Sequence, residues 1–233
     1  MKKERFLYKE QTSILIAVDC IVFGFDQNEL KLLIFKREVE PLAGKWSLIG
    51  SFIKPDESIN EAAQRVLSEL TDLQNTYMEQ LYCFGDINRD AGGRVISVAY
   101  WNLMKIDPLN DRIQVRNHTA KWVTLDKVPE LVLDHKEMVS RAIQTLKERA
   151  QHQPVVFELV PEEFTLPQLL KAYEAVFQKR IDDRNFRKKI LGSGLLKATD
   201  KKDKTTSRKG SFMYKLDRNT CKKLLKEGYN FEI

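Results

Sequence analysis

Two apolar, β-branched runs near the start of the chain, SILIAVDCIVFGF over 13–25 and LKLLIF over 30–35, are separated only by the polar residues DQNE. Runs of this length and composition predict strands, and so short a connection makes them a hairpin. After the loop REVEPLAGK, the segment WSLIGSFI is a further strand, and a helix begins at Ser58. Residues 77–85 and 95–104 read as strands, with RDAGGR supplying turn chemistry between them, and 121–125 is one more short strand. Across 134–150, Met138, Ala142, Ile143 and Leu146 recur at helical spacing. Residues 1–150 are therefore expected to form one mixed α/β domain, which ends where QHQP breaks the pattern.

A different organisation follows. Thr165 is a helix N-cap for LPQLLKAYEAVF, whose Leu169, Leu170, Tyr173, Val176 and Phe177 share one face. The link QKRI leads to Asp182, a second cap, and a helix over 183–191 with Gly192 as its stop signal. Phe186 and Ile190 are expected to turn inward from that helix. Beyond Leu195, two short strand-like ends flank a loop rich in lysine and arginine, which predicts a β-hairpin wing. Residues 155–233 thus read as a second domain, two short helices meeting at a tight turn and followed by the wing.

Charge separates the two parts. Residues 155–233 hold 18 basic and 11 acidic side chains, whereas 1–154 hold 21 and 22. Within the basic part, 179–209 carries 12 basic against 4 acidic residues, a concentration that attracts polyanions. The second helix of a helix-turn-helix enters the major groove, so Arg184 and Asn185 are the expected base-edge contacts, with Arg187 on the same helix and Lys188 expected on a phosphate. Lys201, Lys202, Lys204, Arg208 and Lys209 in the wing are expected on phosphates or in the minor groove, with Thr205, Thr206 and Ser207 as neutral donors. Double-stranded DNA is the expected partner. An RNA-binding reading shares the charge but lacks an aromatic RNP-like strand or a GXXG loop.

No apolar run approaches the roughly 18 residues of a membrane span, and polar residues follow MKKE where a signal peptide would be apolar. Cys20, Cys83 and Cys221 are far apart and show no metal-ligand spacing, so they read as buried small hydrophobes in a reducing cytoplasm. His118, His135 and His152 also lack metal spacing and are taken as structural or exposed. Trp101 and Trp122 are assigned to the core.

The helix after Ser58, SINEAAQRVLSELTDL, opens with a capping box of Ser58 and Glu61 and places Ala63 and Leu67 on a core-facing stripe. Glu61, Arg65 and Glu69 stack opposite charges at intervals of four. With the preceding KWSLIGSFIKPDE it resembles a Nudix box, G-x5-E-x7-R-E-U-x-E-E-x-G-U, where U is bulky and apolar. Aligned on Glu57 and Arg65, four positions depart from it: Ser51 and Asp72 replace glycines, and Val66 and Leu70 replace glutamates. The family's glutamates hold Mg²⁺, which prefers octahedral oxygen ligands, and Val66, Glu69 and Leu70 offer one carboxylate between them. Lys54 stands where the family often has an acidic residue.

FGDINRDAGGRVISVAYW, AKWVTLDKVPELVLDHKEM and FELVPEEFTLPQLLKAYEAVFQKRIDDRNFRKKILGSGLL are similar to segments of the Nudix-related transcriptional regulators. The resemblance covers nearly the whole chain and is nearest the arabinose-responsive branch of Bacteroides-type bacteria; other branches sense ADP-ribose or related nucleotides. It implies a Nudix-like mixed-sheet α/β domain followed by a winged helix-turn-helix, no metal cofactor, a homodimer on operator DNA, and release by a small effector, L-arabinose or an ADP-ribose-type nucleotide. The alternative is an active Nudix hydrolase of ADP-ribose-type substrates. Strand ends and loops around the box supply the expected effector contacts: Arg37, Lys45, Trp46, Glu57, Glu69, Asp86, Arg89 and Asp90.

Overall fold

A computed structural model describes residues 10–71, 77–106, 119–204 and 209–227. The first hairpin forms as expected: β1 (Leu15–Phe25) and β2 (Leu30–Lys36) pair antiparallel. At its turn the Asp26 carboxylate accepts from the N–H groups of Asn28 and Glu29, and Gln27 takes a left-handed φ of 77°. The segment expected as one strand divides into β3 (Trp46–Ser47) and β4 (Ile49–Phe52), which pair with β2 and β1 respectively.

Helix α1 (Ile59–Thr71) precedes β5 (Tyr77–Phe84) and β6 (Val95–Lys105), and β7 (Ala120–Thr124) joins the other edge of β2. Strand order is β3-β2-β1-β6-β5, with β4 also on β1 and β7 also on β2. The pairing of β1 with β6 is parallel over eleven register positions, from Leu15↔Val95 to Phe25↔Lys105.

This central position explains why β1 reads as an unbroken apolar run, since a strand covered on both faces loses the alternation of a half-exposed one. Val18, Cys20 and Val22 face Ala62, Ala63, Val66 and Leu67 of α1. The intervening Ile21, Phe23 and Phe25 belong to the opposite core, shared with Met138 and Leu146 of α2 (His135–His152).

That second core does not stop at the end of α2. It continues through a 3-10 segment, Pro154–Leu159, into Leu169 and Tyr173 of α3 (Leu166–Phe177) and Phe186 and Ile190 of α4 (Asp183–Gly192). The two parts of the chain, read from the sequence as separate domains, share one core.

Both expected caps are present. Thr165 and Gln168 form a reciprocal capping box, and the Asp182 carboxylate accepts from Asn185 N–H at 2.8 Å. Gly192 is not the stop expected of it: α4 includes it, and the chain reverses at Gly194, whose φ of +72° suits glycine. Next come β9 (Leu196–Asp203) and β10 (Ser211–Leu216), the antiparallel wing; β8 (Phe164–Thr165) pairs with β10, and an unforeseen helix α5 (Arg218–Lys226) follows.

Trp101 is fully buried and Trp122 half-buried. Among the cysteines, Cys20 and Cys221 are buried, but Cys83 is exposed because it lies on the outer edge strand β5. No helix among the described residues is long and apolar enough to cross a membrane.

Candidate functional site

A cleft of about 280 Å³ opens where β1, β4, the loop after β5 and the start of α2 meet, with Asp19, Arg37, Phe52, Arg89, Asp90 and His135 on its walls. A connected group of buried polar side chains forms its floor. Arg89 is bidentate with Asp134, Nε to Oδ2 at 2.8 Å and Nη2 to Oδ1 at 2.6 Å, and approaches Asp19 at 3.9 Å. Ser97 donates to Asp19 at 2.5 Å.

His135 accepts the Leu48 N–H on Nδ1 at 3.0 Å, so a neutral ring carries its proton on Nε2, 3.6 Å from Asp19. Burial lowers the His135 pKa, and Asp19 and Asp134 oppose that only in part. Burial also works against the charge on Arg89, but Asp134 and Asp19 outweigh it and the guanidinium pKa is raised. Gly50 accommodates this group: a Cβ there would lie 2.1 Å from Asp19 Oδ1.

Of the eight expected effector contacts, Arg37, Arg89 and Asp90 line the cleft. Arg89 does so with its fork already used by Asp134, and Asp90 caps its own loop by accepting from Gly92 N–H at 2.8 Å. Lys45 and Asp86 are exposed and do not line the cleft, and Trp46 lies between lysines, with Lys121 Nζ 4.3 Å and Lys36 Nζ 5.6 Å from its ring centre.

Glu57 and Glu69 are both taken by Arg65, at 2.7 and 2.5 Å to the former and 3.2 Å to the latter. The sequence reading stacked Arg65 with Glu61 and Glu69. Instead Glu57 is the principal partner, and Glu61 serves the Ser58 cap, accepting its N–H at 2.8 Å. Asp19 and His135 were missed as cleft residues. Asp19 carried a signal, being the one charge in the apolar run of β1; the histidine's placement depends on where α2 docks.

Magnesium is the ion a Nudix box would bind, and the residues present do not fit it. Val66 is packed into the core under α1, Glu57 and Glu69 are held by a guanidinium, and position 70 is leucine, whose side chain lies outside the description. No group of three or more potential metal-ligating side chains converges among the described residues.

The second surface is cationic. Arg184, Asn185 and Lys188 lie exposed along α4 while Phe186 and Ile190 are buried; Arg187 is half-buried and ion-paired with Asp183 at 2.8 Å. On the wing, Lys201 pairs with Glu163 at 2.9 Å and the Lys202 ammonium stands 4.4 Å from the Phe212 ring centre. Lys204 and Lys209 are exposed. Thr205, Thr206, Ser207 and Arg208 lie outside the described residues, as does His118.

Residues 14–142 match the family model described as the NUDIX domain, and 156–216 match the NrtR DNA-binding winged helix domain. The ADPR responsive transcriptional repressor NtrR of Acinetobacter baylyi is 30% identical over 192 residues, covering 81% of this chain and 76% of that one. Shewanella oneidensis NrtR, solved in complex with a 27mer DNA, superposes with a TM-score of 0.76 at 30% identity over 89% of this chain and 95% of that one. The NUDIX domain of the same Shewanella protein complexed with ADP ribose gives a TM-score of 0.54 at 31% identity, over 63% of this chain and 99% of that one.

Proposed function

The chain belongs to the family that joins a NUDIX domain to an NrtR DNA-binding winged helix domain, and from that premise we propose that it is a transcriptional repressor whose grip on operator DNA is loosened by an ADP-ribose-type nucleotide. In this reading residues 1–150 sense the effector and 155–233 read DNA, as a dimer. The carrying observation is helix α4, which is capped by Asp182, anchored by Phe186 and Ile190, and leaves Arg184, Asn185 and Lys188 in solvent beside a lysine-bearing hairpin.

The effector is assigned to the cleft around Asp19, Arg89 and His135. Arginine and the open face of Phe52, 51% exposed, provide the polar and apolar surfaces a nucleotide needs. L-arabinose, implied by the sequence resemblance, finds no support in the names of these relatives, which carry ADP-ribose instead. The protein binds its nucleotide without turning it over, because Val66 and Leu70 offer no oxygen and Arg65 neutralises Glu57 and Glu69.

Fluorescence anisotropy of the full chain with duplex DNA and with single-stranded RNA, each with and without ADP-ribose or L-arabinose, tests this reading. Duplex binding reversed by ADP-ribose supports it. Preference for RNA, release by L-arabinose alone, or metal-dependent hydrolysis of ADP-ribose abolished by Glu69→Gln overturns the corresponding part.

A further inference from the structure

Where the sensor's first hairpin approaches the helix-turn-helix, a second concavity of about 530 Å³ is lined by Asn28, Lys171, Glu174, Gln178, Lys179 and Arg180. Its chemistry is one-sided. Three cations face one carboxylate, and Glu174 is already occupied: Oε1 accepts the Ile181 N–H at 3.0 Å, and Oε2 is 3.4 Å from Arg180 Nη1. That contact leaves Arg180 95% exposed, and an ion pair so open to water contributes little.

The notch owes its shape to the end of α3. Gln178 adopts a left-handed conformation, φ 55° and ψ 35°, which turns the chain toward α4 and brings Lys179 and Arg180 to the surface. Lys147 of α2 donates to the Gln178 side chain at 3.2 Å, fixing that corner to the sensor half.

We infer that this notch is a binding site for a backbone phosphate of the DNA duplex, an inference that rests on the DNA-reader assignment above. Arg180 precedes the first residue of α4 by three positions, so a phosphate held here flanks the groove that α4 enters. The lining is polar and open, with no aromatic side chain to stack a base, so it suits a phosphodiester rather than a whole nucleotide. Because Asn28 belongs to the sensor hairpin, a phosphate seated there touches both halves of the protein.

A duplex phosphodiester and the diphosphate of a free nucleotide share this chemistry, and one experiment separates them. Full-length wild type, Lys179→Gln, Arg180→Gln and the double variant are titrated with mixed-sequence duplex across a salt series, then with ADP-ribose. Each lost contact should flatten the slope of log K against log salt by about 0.9, on any sequence, with ADP-ribose affinity unchanged. These exposed side chains leave the fold intact, which a matching Tm checks. Wild-type slope in the double variant overturns the inference while leaving the reader assignment standing, as does loss of ADP-ribose affinity without a change in slope. A wild type that binds no duplex overturns both.

Discussion

Arg65 grips Glu57 with two hydrogen bonds, Nε to Oε2 at 2.7 Å and Nη2 to Oε1 at 2.5 Å, and donates from Nη2 to the Phe52 carbonyl at 3.1 Å. Glu57 Oε1 also accepts the Lys54 N–H at 2.8 Å. One guanidinium therefore ties α1, the end of β4 and the intervening loop together.

That pair makes stability depend on pH in a stated direction. The Arg65 hydrogen bonds hold the Glu57 pKa at about 2, below the ordinary 4.5. A depressed carboxylate contributes stability above its unfolded value and loses it as pH falls toward its folded one. Wild type should melt above Glu57→Gln at pH 6 to 7, and the difference should close between pH 4.5 and 2. A difference in Tm that does not vary over this range would count against the pairing.

Removing the buried arginine should be costly. Arg89→Ala strands Asp134 and Asp19 without their cation, and breaking a buried pair in this way costs about 3 kcal/mol, or roughly 6 to 12 °C in Tm for a chain of this size. Arg89→Ala with Asp134→Ala should cost less than the sum of the singles, since they share one interaction. A loss below about 1 kcal/mol in urea unfolding would contradict the assigned role.

On operator DNA, Arg184→Ala should cost about 1 to 3 kcal/mol and relax preference at one base position, whereas Lys204→Ala should weaken all sequences alike. Lys201→Ala should matter less than Lys204→Ala, because Lys201 is paired with Glu163. A dimer presenting two α4 helices requires half-sites about 10 base pairs apart, or a multiple. Footprinting without such a repeat would rule out the dimeric arrangement.

Effector and DNA should oppose each other by one common factor, about 5- to 150-fold, since coupling between two binding sites is reciprocal. Calorimetric titration of ADP-ribose with and without operator measures it. Equal affinity in the two titrations would exclude release by this ligand.

The sequence by itself determined the local elements and their chemistry. The Ser58–Glu61 box, the caps at Thr165 and Asp182 and the inward Phe186 and Ile190 rest on residues within a few positions of one another, where periodicity and capping hydrogen bonds act, and the β1–β2 hairpin and the wing each pair segments that follow one another in the chain. Tertiary structure decided the cleft. Asp19, Ser97, Arg89 and the adjacent Asp134 and His135 come from four separate segments and meet only because β1 pairs parallel with β6 and α2 docks across that sheet's face. Glu57 likewise looked available for a ligand until the loop before α1 brought it onto Arg65, whereas the Arg65–Glu69 pair was legible from its spacing of four. A side chain's type is local, but whether its charge is spent on a neighbour depends on how the chain packs, and the same packing joined the two expected domains through one core.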